Sequence, residues 1–247
     1  MGWFPTSKVR LFPRCEAIRF AFPVHELVEP SIRNAGWTIA DCPIPVHHYG
    51  HINEAKNTRK AHYYFELGYA KLDQLGRDKS ALRELAVQAG QLERWPEAID
   101  LWNRFLTICP GYSEAYANIA GAYWQIGRYA QGVDFSRKAI QADPDLKEGH
   151  YNLAVNLLMK GGAQEAARIL HAILRDNRHY LAASFMLGAA LCIIGDIGAS
   201  RSIFNNLSKE LSSDVLNYAL GDLAQKFIDS DLERYAVLLQ KAVGPKQ

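Results

Sequence analysis

Four consecutive windows of the chain repeat on a period of 34 residues, in frames that start at Lys79, Ser113, Lys147 and Leu181. The clearest reads SEAYANIAGAYWQIGRYAQGVDFSRKAIQADPDL and the next KEGHYNLAVNLLMKGGAQEAARILHAILRDNRHY. A fixed period constrains the fold more than any local propensity. Each unit is one supersecondary element whose apolar face is covered only when a neighbour stacks on it. Within a frame the apolar residues recur at helical spacing, so the unit is a helix pair. The expected architecture is mainly α: a helical solenoid of four repeats over 79–112, 113–146, 147–180 and 181–214.

The frames share a positional signature. In the frame from Ser113, position 4 is Tyr116, position 8 Ala120, position 11 Tyr123, position 20 Gly132, position 27 Ala139 and position 32 Pro144. The next frame places Ala154 and Ala166 at the two small positions, 8 and 20. The frame from Leu181 keeps Leu187, Gly188, Leu191 and Phe204, with Ser200 at position 20. The frame from Lys79 keeps Ala86, Ala98, Phe105 and Pro110, and carries Glu93 where a turn glycine is usual. Small residues at 8 and 20 let the two helices approach, and large ones at 4, 11 and 24 fill the gap. The proline ends the second helix because it cannot continue it. This pattern resembles the tetratricopeptide repeat, which implies a right-handed solenoid whose concave face holds proteins or peptides.

The flanks read differently. Residues 53–78 hold a long connecting helix, with Ala61, Tyr64, Phe65, Gly68, Leu72 and Leu75 at helical spacing and an end at Gly76. Residues 1–52 carry short β-branched and aromatic runs punctuated by Pro5, Pro13, Pro23, Pro30, Pro43 and Pro45. That is strand-and-loop chemistry, a small mixed β segment too short to bury a core of its own. Residues 215–247 read as two helices broken near Asp229–Asp231, with Ser230 or Asp231 able to cap the second. Such a pair would cover the open end of the array.

The N-terminal segment presents, in order, VRLF (9–12), IRF (18–20), VHE (24–26), Ser31, Gly36 and IPVHHYGH (44–51). This order ahead of tetratricopeptide-like repeats resembles the C-terminal end of the catalytic domain in bacterial family 2 glycosyltransferases. His51 departs from the aromatic that the family places after the glycine. The resemblance implies the remnant of a GT-A fold that uses a nucleotide sugar and a divalent metal, Mg or Mn. The metal would offset the leaving diphosphate's charge, and a carboxylate would act as base toward an acceptor hydroxyl. Carried over, Glu26 is the candidate base, His25 the second candidate and His48 a candidate metal ligand. The plain alternatives are a solvated His25–Glu26 pair and structural histidines, since HHYGH is not a zinc spacing. A free-standing metal site at His47, His48 and His51 is a third reading.

The chain lacks a DxD motif in a suitable place. The DPD at 143–145 sits at the end of a repeat, and no glycine-rich phosphate loop follows a strand. Glu26 and His48 are then half of an active site, so the chain reads as a truncated or split enzyme that needs no cofactor by itself. The formal charge of +2 gives no electrostatic reason to bind nucleic acid. No apolar run is long enough for a membrane span, and the start MGWFPTSKVR has no apolar signal region. Cys15, Cys42, Cys109 and Cys192 are widely spaced, which reads as free thiols in a cytoplasmic setting.

Functional weight therefore falls on the repeats. Positions 2, 5, 9, 12 and 13 of the first helix face the groove in this kind of array. They grow apolar toward the C-terminus, through Trp124, Tyr151, Leu158, Met159, Phe185 and Ile193. An amphipathic helix or apolar peptide lying on this face is one reading. The chain's own C-terminal helices, or a second copy of the chain, are the other. Asn118 and Asn152 at position 6 are two rungs of an asparagine ladder, but Glu84 and Met186 flank them. Glu114 and Glu148 at position 2 repel a peptide carboxylate, which argues against a carboxylate clamp.

Overall fold

A computed structural model describes residues 9, 11–20, 28–41, 54–75 and 78–243. Twelve helices run through them: α1 (Glu29–Asn34), α2 (Glu54–Leu75), α3 (Lys79–Gln91), α4 (Trp95–Leu106), α5 (Ser113–Gln125), α6 (Tyr129–Ala142), α7 (Lys147–Met159), α8 (Ala163–Asp176), α9 (Leu181–Ile194), α10 (Ile197–Glu210), α11 (Ser213–Asp229) and α12 (Glu233–Val243). The chain divides into two compact units, Met1–Leu92 and Glu93–Gln247.

In the first unit, α2 packs on α3, with Phe65, Leu72, Leu82 and Leu85 buried. Asp78 caps α3 by accepting from the Ala81 amide at 2.7 Å. The strands expected near the N-terminus are not found among the described residues. Helix α1 forms instead, because Pro30 falls in its first turn, where a proline gives up no intrahelical hydrogen bond. Around it lies a small knot. Glu29 accepts from the amides of Val9 (3.2 Å) and Val28 (3.0 Å), and Ser31 Oγ donates to the carbonyl of Arg19 (2.8 Å). Ile18, Val28 and Ile32 are buried at its centre.

In the second unit each helix from α4 to α9 packs on its successor, and α5, α7 and α9 also meet side by side. The turns between paired helices fall in register. Glu93, Gly127, Gly161 and Gly195 all have positive φ, at 58°, 74°, 85° and 100°. They are spaced by the repeat length, so position 15 is where the chain must turn left-handed.

The small positions do the work their size permits. Ala120, Ala154, Ala166 and Ala139 are fully buried. A Cβ on Gly188 would meet the Phe204 ring at 3.0 Å, and buried Ser200 donates its hydroxyl to the Gly188 carbonyl at 2.8 Å. Position 24 differs between repeats. Phe204 fills it in one, whereas in the frame from Ser113 it is buried Ser136, and Phe135 beside it takes the rings of Tyr116 (6.2 Å) and Tyr123 (5.5 Å).

Candidate partner-binding groove

The first helices α5, α7 and α9 place their positions 12 and 13 in one row: Trp124 and Gln125, Leu158 and Met159, Cys192 and Ile193. Leu158, Met159 and Cys192 are buried, at 0%, 4% and 0% exposure. Trp124 and Ile193 are half-buried. The cover comes from the chain itself. One contiguous buried cluster joins Val155, Leu158, Met159, Ala189 and Cys192 to Leu216, Leu223 and Phe227 of α11 and to Tyr235, Leu239 and Ala242 of α12. The second of the two readings of this apolar face, occupation by the C-terminal helices, is thus the arrangement in the structure.

Helix α11 starts where α10 ends and finishes at the α5–α6 turn. There the Lys226 ammonium sits 4.5 Å from the centre of the Trp124 ring and donates to Gln125 Oε1 at 3.4 Å. Ser230 Oγ lies 3.4 Å from the Tyr129 hydroxyl and donates to the Lys226 carbonyl at 2.7 Å. Ser230 therefore ties α11 to the groove rather than capping α12. Asp231 makes the turn, with a φ of 58°. Burial raises the pKa of the Tyr129 hydroxyl, helped by the carboxylates of Asp229 and Asp222. The Trp124 indole Nε1 is buried with no hydrogen-bond partner in the protein.

The remaining predicted groove residues are engaged within the array. Tyr151 pairs with Tyr180 at 5.3 Å between ring centres, and burial pushes its hydroxyl well above the ordinary tyrosine range. Phe185 meets Phe204 edge-on at 5.8 Å. Asn118 is exposed and donates to the Glu114 carbonyl one turn earlier, at 2.7 Å. Asn152 donates to the Ala117 carbonyl of α5 at 2.8 Å. Each side chain thus makes one bond to the backbone of α5.

Sequence reasoning missed Lys226, Leu223 and Phe227. Their signal was present as an apolar stripe, Leu216, Leu220, Leu223 and Phe227, at helical spacing. It also missed Asn156, fully buried, which donates to the Asn152 carbonyl at 2.8 Å and fills the space a Cβ on Gly132 would need, with its Oδ1 at 2.0 Å from that position.

His25, Glu26, His47, His48 and His51 lie outside the described residues. Among the described residues no group of three or more metal-ligating side chains comes together. No helix there is long and apolar enough to cross a membrane. Cys15, Cys109 and Cys192 are free thiols, exposed, half-buried and buried in turn, and burial raises the pKa of Cys192.

Residues 113–146 match the sequence model of the tetratricopeptide repeat. No curated protein matches the chain. Among solved structures, a tetratricopeptide repeat protein from Parabacteroides merdae is similar with a TM-score of 0.56 and 12% identity, over 85% of this chain and 89% of that one. MamA from Desulfovibrio magneticus RS-1 has a TM-score of 0.55 and 12% identity, over 64% and 94%. The O-GlcNAc transferase of Thermobaculum terrenum has a TM-score of 0.50 and 25% identity, over 53% of this chain but only 26% of its own length. The chain therefore has the tetratricopeptide-repeat fold, with residues 113–146 as the repeat that also matches in sequence.

Proposed function

We propose that the chain is a protein-interaction scaffold whose concave face takes an amphipathic helix. One observation carries this reading: α11 already lies there, apolar stripe inward, with a cation on Trp124. A surface that accepts one such helix has the shape and chemistry for another. The direct test is a titration with a synthetic peptide of the sequence Ser212–Ser230, followed by NMR on the Trp124 indole N–H. Binding at the groove shifts that signal, and Trp124→Ala abolishes the binding. A peptide that perturbs only residues remote from Trp124, Leu158 and Ile193 would overturn the reading.

A second reading has its own support: the scaffold as the tail or subunit of a glycosyltransferase. Val9 of VRLF, Ile18 and Arg19 of IRF, and Ser31 are drawn together around Glu29 by hydrogen bonds and a small shared core, so the described parts of these three motif segments pack together. The repeat likeness to an O-GlcNAc transferase is a second example of such repeats on a sugar-transferring enzyme. Here Glu26 would serve as base and His48 as a ligand of Mg or Mn, in a site completed by a separate nucleotide-sugar-binding half. The test is sugar transfer by the chain mixed with such a half. Glu26→Gln should abolish it. Failure to form a stable complex counts against the reading.

A further inference from the structure

We infer that α11 is a detachable cover of the concave face, displaced by an outside helix of matching chemistry; this rests on the groove reading above. Four features of the cover support it. First, α11 is joined to α10 by two extended residues, Leu211 and Ser212, and packs only slightly on α10. In the regular stack every helix packs broadly on its predecessor. Here α12, not α11, lies against α9 and α10. Helix α12 thus takes the place beside α9 and α10 that the first helix of a further repeat would hold, as α7 does beside α5 and α6, and α11 alone has left the repeat register.

Second, the far end of α11 is held weakly in polar terms. The Lys226–Gln125 and Ser230–Tyr129 contacts are both 3.4 Å, beyond the ~2.7–3.0 Å of good hydrogen bonds. Third, exposed Gly221 sits in the interior of α11, and no neighbouring atom lies within 4 Å of a Cβ built there. No close approach requires that glycine, and it weakens the helix interior. Fourth, α11 leaves the buried Trp124 Nε1 without an acceptor. A helix that brings one satisfies a group the resident does not.

The buried stripe sets the other half of the specificity. Leu216, Leu223 and Phe227 are 7%, 2% and 0% exposed, so an unpaired polar group at any of them would be costly. The partner is therefore an amphipathic helix with large apolar residues at i, i+4, i+7 and i+11. It carries a cation next to the last of these and an acceptor within reach of Trp124.

Hydrogen exchange on the full chain tests the cover directly. Amides of α11 should exchange roughly tenfold or more faster than those of α7 and α9, as a separately opening unit does. Lys226→Glu should speed α11 several-fold and leave α5 to α9 unchanged, and it should raise affinity for the Ser212–Ser230 peptide about tenfold, the release of a closed-state penalty. Lys226→Gln, which removes the charge without reversing it, should fall between. If α11 is as protected as α7 and α9, and Lys226→Glu moves all helices together, the cover is a fixed part of the core and the inference is overturned while the groove reading is untouched. Fast α11 exchange with no peptide bound by either chain overturns the groove reading and displacement together.

Discussion

At the scale of single residues, two positions carry more constraint than their size suggests. Glu93 holds a left-handed turn that glycine occupies in the three repeats after it. A side chain is strained there, so Glu93→Gly should raise stability by about 0.5–1 kcal/mol and Gly161→Ala should lower it by about 1 kcal/mol, both read from urea denaturation midpoints. The second position is Gly132, whose missing Cβ is occupied by the Asn156 amide. Gly132→Ala should cost about 1–3 kcal/mol by overpacking. Combined with Asn156→Ala it should cost clearly less than the sum of the two, which a double-mutant cycle measures. Tyr151 gives the pH dependence. Burial raises its pKa above the unfolded value near 10, so its stabilising share is complete below pH 10 and is lost as pH climbs past it. Tyr151→Phe should therefore flatten the alkaline fall in stability while changing little at neutral pH.

At the scale of elements, the helix pairs were legible because each repeat states the same small, large and turn positions again. Residues such as Ala120, Ala154 and Gly132 have one physical job in every frame, and repetition makes that job visible. Helix α1 was hidden because Pro30 reads as a strand-and-loop breaker unless its place in the first turn is known. The Asn118 and Asn152 side chains each donate to a carbonyl of α5, a bond that the shared position 6 does not reveal, since one is local and the other crosses between repeats. Helix ends are worth testing here too. Asp196 accepts from the Ala199 amide at 3.0 Å and caps α10, so Asp196→Ala should cost about 1 kcal/mol in thermal or urea unfolding.

At the scale of the whole molecule, the stripe on α11 told which of its faces is buried but not against what. Period and spacing are local properties. The contact of Lys226 with Trp124 and Gln125 joins residues about three repeats apart, and no 34-residue pattern encodes it. The same limit applied to the N-terminal motifs, where the bonds of Glu29 to Val9 and of Ser31 to Arg19 tie segments that only the fold brings together. That knot has a pH signature of its own. The amide of Glu29 itself and that of Val9 hold the Glu29 carboxyl below its ordinary range. The tie is complete above about pH 4.5 and should loosen as pH falls below it, seen as loss of protection at the Val9 amide.

The crossing of α11 over the array also has a consequence in time. A ribosome releases the chain in order, so the groove is fully synthesised once Ile194 has emerged, while the helix that covers it ends at Asp229. Those 35 intervening residues, 229 less 194, take roughly 2–7 s at ~5–20 residues per second. Until that interval ends, a newborn copy shows the apolar row from Trp124 to Ile193 without the complete helix that covers it.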